Sequence, residues 1–448
     1  MKRSMASRIL VSLGLASALL GASSLTLASG FQLWEQNGAG TGDYHAGAAA
    51  DADDASTAFY NPAGLTRLKG PQVVAGSAFV NLITTFKGNM VFTSAPFDPH
   101  TFSNIRASGG VLKAVPFGYF AMPINQKLAV GFGILAPFGL ETDYSRKTPL
   151  RLAATKTQLQ VIDFTPNIAY QFTHAFSLGA GLDFAYVKGT FDQMATVAFG
   201  SSYDSSNDTQ SDNSGTGYGY GYHLGALYQF TPRTRVGVAY HSQIFVSMKG
   251  TSTFTGNLAN GNAGEPNGVQ KSKHLKTSVA LPPYLVLSGI YSFNSHWAAL
   301  SSLTYTWWSS FSKLRLRNVA AQDSDGNASN SLIINVLEKY RNTWNLAVGA
   351  HYSPTDKLTL KMGGGYDVTP TNGKYRNVQL PGQTHYALAA GIHYQLLKKL
   401  GVDVGYAHFF VRDANIHNTQ TVGGETIVPN GVSRTSLNIY ALQLTWDV

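Results

Sequence analysis

From Gln72 onward, the chain alternates between apolar residues and small or polar residues with a period of two, in segments of about ten residues. Residues 217–230 show this most clearly, because tyrosine, leucine and phenylalanine dominate the even positions while glycine and His223 occupy the odd ones. About ten residues is the length that a tilted strand needs to cross a bilayer. The pattern therefore predicts strands with one apolar face and one face of small side chains, as in the wall of a membrane barrel.

The same alternation recurs at residues 176–186 and 384–394 and again at the end of the chain. The apolar face of the last segment consists of Tyr440, Leu442, Leu444, Trp446 and Val448. A soluble sandwich also alternates, but it buries its apolar face against a second sheet. Here the apolar face ends in Tyr and Trp, which prefer the bilayer interface, so a membrane barrel is favoured over a sandwich.

Counting such segments predicts fourteen strands, at residues 72–86, 113–124, 127–139, 157–171, 176–191, 217–230, 235–250, 281–293, 296–312, 339–353, 357–368, 384–397, 400–412 and 434–448. An even number of antiparallel strands can close into a barrel, and closure leaves no unpaired strand edge within hydrocarbon. We therefore expect an all-β protein whose main part is a transmembrane antiparallel β-barrel of about 14 strands.

The connections between the predicted strands alternate in length. Tight turns such as Asn125-Gln126 and Asn294-Ser295 alternate with long polar stretches at residues 201–215, 251–273, 319–330, 369–383 and 413–433. In outer-membrane barrels the short turns face the periplasm and the long loops face outward. Both termini then lie on the periplasmic side, from which the N-terminal segment can enter the lumen.

The composition excludes several classes of protein. Charged residues make up 13% of the chain, against about 25% in soluble domains, and the absence of cysteine excludes a disulfide-stapled secreted protein. Lys and Arg are scattered, so the net charge of +9 does not indicate nucleic-acid binding. No zincin, nucleophile-elbow or P-loop motif occurs. We predict no enzymatic activity, no metal and no cofactor; an outer-membrane hydrolase built from Ser and His of adjacent strands is the alternative.

The chain is predicted to consist of three segments. Residues 1–28 form a secretory signal peptide, because basic residues precede an apolar run that is shorter than the roughly 20 residues of a membrane-spanning helix. Its removal lowers the formal charge from +9 to 9 − 3 = +6. Residues 29–70 form an N-terminal hatch that plugs the lumen. Residues 71–448 form the barrel.

The hatch prediction rests on residues 29–65, which cannot form a membrane strand. They are rich in Gly and Ala, lack period-two alternation and end in Asn61-Pro62-Ala63-Gly64, a turn signal. Their acids are Glu35, Asp43, Asp51, Asp53 and Asp54. A flexible linker is the alternative, but the position directly before a train of membrane strands favours a plug.

Short motifs in this segment carry a resemblance to a known family. They are Gly30-Phe31-Gln32-Leu33 with Glu35, Asp53-Asp54-Ala55 and Asn61-Pro62-Ala63. They resemble the N-terminal hatch of the FadL/TodX (OMPP1) family of outer-membrane transporters for long-chain fatty acids and other hydrophobic compounds. The similarity continues through residues 116–144, 176–191, 281–311 and 340–352, and so covers most of the chain. It implies the outer membrane of a Gram-negative bacterium and passive uptake without a covalent step.

The resemblance also implies where a solute would bind. By strand parity Arg341 points inward beside Thr343 and Asn345, and its place before Trp344 is similar to a basic position of the family's lumen site. A cation at low dielectric would bind a carboxylate, although a structural ion pair is the alternative. We expect substrate contacts at Arg341, Phe31, Phe199 and Trp344. Gln193 replaces a second basic residue of the family, which leaves room for a neutral substrate.

Two further sets of residues are implied. Movement of the hatch would involve Gly30, Phe31, Asn61, Pro62 and Ala63. The third strand contains Gly131, Gly133, Pro137 and Gly139, and proline and glycine both weaken a strand. In the resembling family a kink in this strand opens the wall sideways, and that opening would lie at Ala136, Pro137 and Gly139. An ordinary bulge at the barrel rim is the alternative.

An external apolar groove that captures the solute is expected from residues near the fifth and seventh strands. These are Met194, Val197, Phe199 and Tyr203, with Ile244, Phe245, Val246 and Phe254, the second group having a lipid-facing strand as its alternative. The expected function is passive uptake of long-chain fatty acids or similar hydrophobic molecules. The alternatives are an aromatic hydrocarbon channel and an adhesin or phage-receptor barrel. Expected partners are the solute, outer-membrane lipid and lipopolysaccharide but no nucleic acid, and the barrel is expected to be a monomer.

Overall fold

The computed structural model describes residues 30–94, 98–196, 203–260, 268–323 and 327–448. The predicted signal peptide lies outside these ranges. The described strands form one 22-stranded antiparallel sheet. Its first strand, β1 (Gln72–Ser94), pairs along its whole length with its last strand, β22 (Glu425–Asp447). The sheet is therefore closed, and the predicted barrel is confirmed.

The 22 strands make fourteen passes through the wall, as predicted. Seven passes are single strands: β1, β6 (Lys156–Gln171), β7 (Phe176–Ala195), β8 (Thr209–Thr231), β17 (Leu358–Asp367), β18 (His385–Leu397) and β22. The other seven are divided: β2 (His100–Ser108) with β3 (Val111–Pro123), β4 (Leu128–Leu135) with β5 (Gly139–Asp143), β9 (Thr234–His241) with β10 (Ile244–Gly256), β11 (Gly268–Leu281) with β12 (Tyr284–Ser292), β13 (Trp297–Thr306) with β14 (Lys313–Gln322), β15 (Ala328–Leu337) with β16 (Thr343–Thr355), and β19 (Leu400–Val411) with β20 (Ala414–His417) and β21 (Gln420–Val422).

The two faces of the wall differ as the alternation predicts. On β8 the side chains of Tyr218, Tyr220 and Leu224 are 69%, 70% and 48% exposed, whereas His223 is fully buried. On the last strand Trp446 is 60% exposed. Soluble proteins rarely present such contiguous rows of large apolar side chains to water. The outer face of the wall is therefore the lipid-facing surface.

The strands extend further than the alternation predicted. Several stretches that were expected as loops belong largely to strands. This holds for most of the described residues within 201–215, 251–273, 319–330 and 413–433. In addition, β2 was not predicted. Outside the bilayer the outward face of a strand can be polar, so the contrast between the two faces weakens while the hydrogen-bonded ladder continues. Residues 369–383, which are all described, contain no strand, as predicted.

The chain ahead of β1 packs against the inner face of the sheet. We call residues 30–67 the hatch; its helices are α1 (Gly38–Thr41), α2 (Thr57–Tyr60) and the 3-10 helix Pro62–Arg67. Further 3-10 helices lie at Pro149–Leu152, Ser205–Asn207, Asn257–Asn260 and Trp308–Ser310. Within the described ranges, no helix is long and apolar enough to cross a membrane.

Hydrogen bonds from its backbone fix the hatch to the wall. Its amides reach inward side chains of three passes: Gly38 donates to Gln443 Oε1 (2.8 Å), Gly47 to Ser302 Oγ (2.9 Å) and Ala49 to Ser288 Oγ (3.1 Å). At Gly363 on β17 the approach is closer still, because a Cβ there would overlap the backbone of Asp43. Glycine in the wall therefore lets the hatch backbone lie directly on the sheet.

The Asn61-Pro62-Ala63 motif ends one helix and starts the next. The Asn61 side-chain oxygen accepts from the Ala63 amide (3.1 Å), and its side-chain nitrogen donates to the carbonyl of Ala226 on β8 (3.0 Å). Pro62 occupies the first helical position, where a missing amide hydrogen removes no intrahelical bond. The motif thus caps the 3-10 helix and fastens this end of the hatch to β8.

Candidate functional site

The third pass loses its alternation at its middle. Every residue of 135–142 is buried, whereas a wall strand exposes every second side chain. β4 ends with Leu135 opposite Asp163 of β6, and β5 resumes with Gly139 opposite Gln160. Three residues, 136–138, therefore face two on β6, which makes a β-bulge. Pro137 lies in this bulge, where its lack of an amide donor is tolerated.

A gap separates the bulged pass from its other neighbour, β3. β3 pairs with β4 from Gly118 to Pro123, but among the described strands no ladder joins residues 111–117 to β5. Contact resumes where the Asp143 amide donates to the carbonyl of Gly109 (3.2 Å). An open sheet edge is not tolerated against lipid. We call this gap the window and treat it as part of the candidate site.

The hatch supplies hydrogen-bond partners to the bulge. Gln36, which is fully buried, donates from Nε2 to the Ala136 carbonyl (2.9 Å) and accepts at Oε1 from the Ala136 amide (2.9 Å). Two backbone bonds of 2.8 Å add to this pair, from the Leu33 amide to the Pro137 carbonyl and from the Gly139 amide to the Phe31 carbonyl. The predicted opening residues Ala136, Pro137 and Gly139 therefore all bond to the hatch.

An apolar cavity adjoins this contact. Phe31 of the hatch and Leu140 of β5 both line it, so it borders the hatch and the bulged pass together. The space between its walls is about 760 Å³, part of it open to solvent. Its polar lining consists of Thr157, Asp192, Gln193, Glu338 and Gln379, and its other lining residues are aliphatic or aromatic. Such a space is typical of a binding site for a hydrophobic small molecule.

Aromatic rings hold Phe31 at the boundary of this cavity. Its ring centroid lies 4.8 Å from that of Trp308, 5.1 Å from Phe311 and 6.1 Å from Phe138, all edge to face. Gly30 has φ +65°, and a Cβ there would overlap the indole of Trp308, so glycine is required before Phe31. The predicted hatch residues Gly30 and Phe31 thus lie between the cavity and the bulge.

Among the described residues that line the cavity there are carboxyl groups but no Lys, Arg or His. Glu338, in the connection between β15 and β16, is 6% exposed and accepts a hydrogen bond from Asn377 at Oε1 (2.9 Å). Burial raises the pKa of Glu338 to about 8, so its carboxyl group is protonated at neutral pH. A protonated carboxyl can hydrogen-bond a neutral head group, whereas it gives no charge attraction to an anion.

Three predicted substrate contacts are not among the cavity residues. Arg341 is exposed and precedes β16, which begins at Thr343, so the parity of the strand does not extend to it. The direction of its side chain is therefore not set by the strand, and a contact of Arg341 with the solute stays a prediction. Trp344 is 42% exposed on the outer face, with its ring 5.4 Å from that of Tyr366, and belongs to the lipid-facing aromatic residues. Phe199 lies outside the described residues.

Of the expected capture residues, two pack against an apolar cluster at the loop end of the barrel. These are Met194 and Tyr203, which are partly buried. Val197 lies outside the described residues. Phe245 is 62% exposed, whereas Ile244, Val246 and Phe254 are buried. This burial agrees with the alternative reading of this group as a strand with one lipid-facing side.

A buried carboxylate links the two sides of the window. Glu141 of β5 lies 3.2 Å from Lys113 Nζ of β3 and 3.5 Å from Lys156 Nζ of β6, and Gln158 donates to it as well. The Glu141 side chain is 2% exposed. Because Lys113 lies on the far side of the gap, this ion pair holds together strands that share no ladder there.

The opposite side of the hatch is polar. His351 Nε2 lies 2.7 Å from Asp43, and Lys361 lies 3.8 Å from Asp403 and donates to the carbonyl of Ala39 (3.3 Å). His351, Lys361 and Asp403 border a second space of about 1450 Å³, part of it open to solvent, at the end of the barrel where the tight turns lie. The acids of the hatch thus add to the charged groups of the wall, and this part of the lumen is charged.

One buried cluster was missed by the sequence reading. The ligand atoms of Asp183, His223 and His241 lie within 4.8 Å of one another. His223 Nδ1 lies 2.7 Å from Asp183, and its Nε2 lies 2.6 Å from Asn167 Oδ1 and 3.2 Å from the carbonyl of Ala58. Both nitrogens are therefore used within the protein, which indicates a structural anchor for the hatch rather than a metal centre. The inward parity of Asp183 and His223 was the available signal.

The chain matches the sequence profile of the family described as outer membrane protein transport protein (OMPP1/FadL/TodX) over residues 19–447. It is 29% identical to outer membrane protein P1 of Haemophilus influenzae, with 97% of this chain and 98% of that protein covered. It is 25% identical to the long-chain fatty acid transport protein of Escherichia coli K12, with 87% and 89% covered.

Solved structures show the same fold. A FadL homologue of Pseudomonas aeruginosa has 24% identity and a TM-score of 0.79, with 94% of this chain and all of that chain covered. The toluene transporter TbuX of Ralstonia pickettii has 17% identity and a TM-score of 0.63, with 92% and 99% covered.

A closed barrel with a lipid-facing outer wall and an apolar cavity beside a break in that wall defines an outer-membrane channel protein. The chain belongs to the OMPP1/FadL/TodX family. It is therefore a transport protein for hydrophobic compounds in the Gram-negative outer membrane, and it is not an enzyme.

Proposed function

We propose that this protein takes up long-chain fatty acids or similar hydrophobic molecules passively and releases them sideways through the window. The observation that carries this proposal is the cavity bordered by both Phe31 of the hatch and Leu140 of the bulged pass. A ligand in this cavity is separated from the unpaired edge of β3 by residues 31–36 and their bonds to the bulge. Movement of these residues would join the cavity to the window.

The polarity of the lumen supports sideways release. An alkyl chain that leaves along the barrel axis must pass the charged groups around Asp43, Lys361 and Asp403. Moving a methylene from apolar into polar surroundings costs about 0.8 kcal/mol, so a chain of about a dozen methylenes would meet a penalty of about 10 kcal/mol. The window leads instead to the lipid-facing surface, where the chain stays in apolar surroundings.

The lining of the cavity favours a ligand without a negative charge. Gln193 and the protonated carboxyl of Glu338 can exchange hydrogen bonds with a protonated carboxyl or a hydroxyl group. A protonated fatty acid fits this lining, and relatives are named long-chain fatty acid transport proteins. An aromatic hydrocarbon, which needs no polar partner, is the second candidate, and a toluene transporter shares the fold.

Two arginine substitutions test the route. Ala136→Arg places a charge in the bulge, and Ala298→Arg places the same group in the polar space at the other end of the barrel. Uptake of radiolabelled oleate and of toluene is measured in cells that lack the native protein and express each variant. We expect Ala136→Arg to abolish uptake and Ala298→Arg to leave it near normal. The reverse result would mean that the solute leaves along the axis.

Folding is checked by the heat-dependent migration of each variant in SDS gels, because an unfolded barrel would also fail to transport. The deletion strain, which lacks the native protein, separates the proposed function from the alternative functions. An adhesin or phage receptor predicts no uptake defect in the deletion strain for either solute. A defect for toluene alone would favour the aromatic hydrocarbon channel.

A further inference from the structure

Four cations form a row across five neighbouring strands on the outside of the barrel, with Thr216 at the position that β8 contributes. Lys249 of β10 lies directly opposite Lys276 of β11, and Lys276 lies directly opposite Arg317 of β14. On the other side, Lys249 and Lys188 of β7 both lie opposite Thr216 of β8. All five residues are exposed. Directly opposite residues of a sheet share one face, so their side chains point outward together.

Among the described residues, Lys188, Lys249, Lys276 and Arg317 make no ion pair and no side-chain hydrogen bond. Asp212, an outward acid of β8 four residues from Thr216, lies 3.9 Å from Arg146 instead. Like charges directly opposite each other destabilise a sheet, so the row calls for an anion from outside the chain.

The row begins at the level of the membrane surface. Tyr218, two residues after Thr216, and Tyr186, two residues before Lys188, lie nearer the tight turns on the same outer face, with their rings 5.5 Å apart. Lys188 is also 12 residues along β7 from Phe176 at the tight turn. At about 3.3 Å per residue and a tilt near 40°, this corresponds to a height of about 30 Å, just above an apolar band of about 25 Å.

We propose that Lys188, Lys249, Lys276 and Arg317 form a binding site for the phosphate groups of lipopolysaccharide in the outer leaflet. The acyl chains of this lipid would pack on the apolar face that includes Phe245, which is 62% exposed and lies four residues before Lys249. Its phosphates would then lie beside the cations, where each pair is a charge-assisted contact. The rising row would follow the phosphorylated core sugars away from the membrane.

The test uses the purified full chain in detergent and lipopolysaccharide that carries both lipid A phosphates. Binding is measured by native mass spectrometry for the wild type, for the double variant Lys249→Gln/Lys276→Gln, and for the control Lys398→Gln/Lys399→Gln. The control removes the same charge from exposed lysines at a tight turn. At about 1 kcal/mol for each cation near a charged membrane surface, the row variant should bind about 30-fold more weakly. The control should bind like the wild type.

Two further arms make the result decisive. Lys249→Arg/Lys276→Arg keeps the charge and should bind as the wild type does, which excludes misfolding as the cause of a loss. Lipopolysaccharide stripped of its phosphates should bind wild type and row variant equally. The proposal is overturned if the row variant retains wild-type affinity or if the control loses as much affinity as the row variant. It is also overturned if the wild type and the row variant still differ by the same factor with lipopolysaccharide that lacks phosphates.

Discussion

Replacing Gln36 with alanine tests whether the hatch holds the window closed. The side chain of Gln36 pairs with both the amide and the carbonyl of Ala136, at 2.9 Å each, in a position with no solvent exposure. Alanine cannot replace either bond. The two backbone groups of Ala136 then have no partner as long as the hatch stays in place.

The expected effect follows from the cost of buried groups without partners. Each costs about 1–3 kcal/mol, so the closed arrangement would lose at least about 2 kcal/mol unless water fills the space. Since about 1.4 kcal/mol corresponds to a factor of ten, the fraction of molecules with a detached hatch should rise about 30-fold. The backbone bonds from the Leu33 amide to Pro137 and from the Gly139 amide to the Phe31 carbonyl remain, so the hatch should detach transiently rather than permanently.

Hydrogen exchange of the protein in lipid nanodiscs measures this change directly. Amides of residues 31–37 should exchange about 30-fold faster in Gln36→Ala, and oleate uptake by proteoliposomes should become faster at low concentration. Gln229→Ala is the matched control, because that side chain also donates to a backbone carbonyl (2.8 Å) but does so at an exposed turn. If the two variants exchange alike and both at the wild-type rate, Gln36 does not hold the window closed.

Three further predictions concern the surroundings of the same site. Glu141→Gln removes the ion pair with Lys113 across the window, so proteoliposomes with this variant should take up oleate faster, and an unchanged rate would contradict a role in closure. The pKa of Glu338 is raised from 4.5 to about 8 in the folded protein, so the folded state binds more protons between these values and stability should fall as pH rises through them. Thermal unfolding in detergent should show this fall, and Glu338→Gln should flatten it. Gly363→Ala would overlap the hatch backbone, whereas a Cβ at Gly289 meets its nearest atom at 3.8 Å. Protease cleavage within the hatch should therefore increase in Gly363→Ala but not in Gly289→Ala.

The barrel could be predicted from the sequence because a bilayer imposes one rule on every pass. Each strand must show apolar side chains to lipid, so alternation at residues such as Tyr218 and Tyr220 gives the strand and its orientation at once. Outside the bilayer this rule ends, which is why β2 and the outer parts of β8 and β22 were not predicted. Arg341 shows the same limit, since its parity was read beyond the end of its strand.

The candidate site was less accessible to sequence reading because its contacts join distant parts of the chain. Pro137 indicated a break in the third pass, but nothing in the sequence shows that Gln36 pairs with Ala136, 100 residues away. Glu338 was overlooked because a lone carboxyl in a loop looks like a solvated charge. Its burial depends on loop 369–383, through Asn377, and such a loop has no periodic pattern to read.

The bulge and the hatch depend on each other through shared hydrogen bonds, so they act as one structural unit. A bulge with Pro137 leaves backbone groups of the third pass without ladder partners, and hydrocarbon cannot supply them. Gln36 and the backbone of residues 31–33 supply them from inside, so these groups of the bulge have partners while the hatch is seated, although no ladder joins the described strands β3 and β5. A seated hatch also places Phe31 in the wall of the cavity. Displacement of Phe31 by a ligand would therefore strain the same short segment that closes the window, and binding and release would be coupled through six residues.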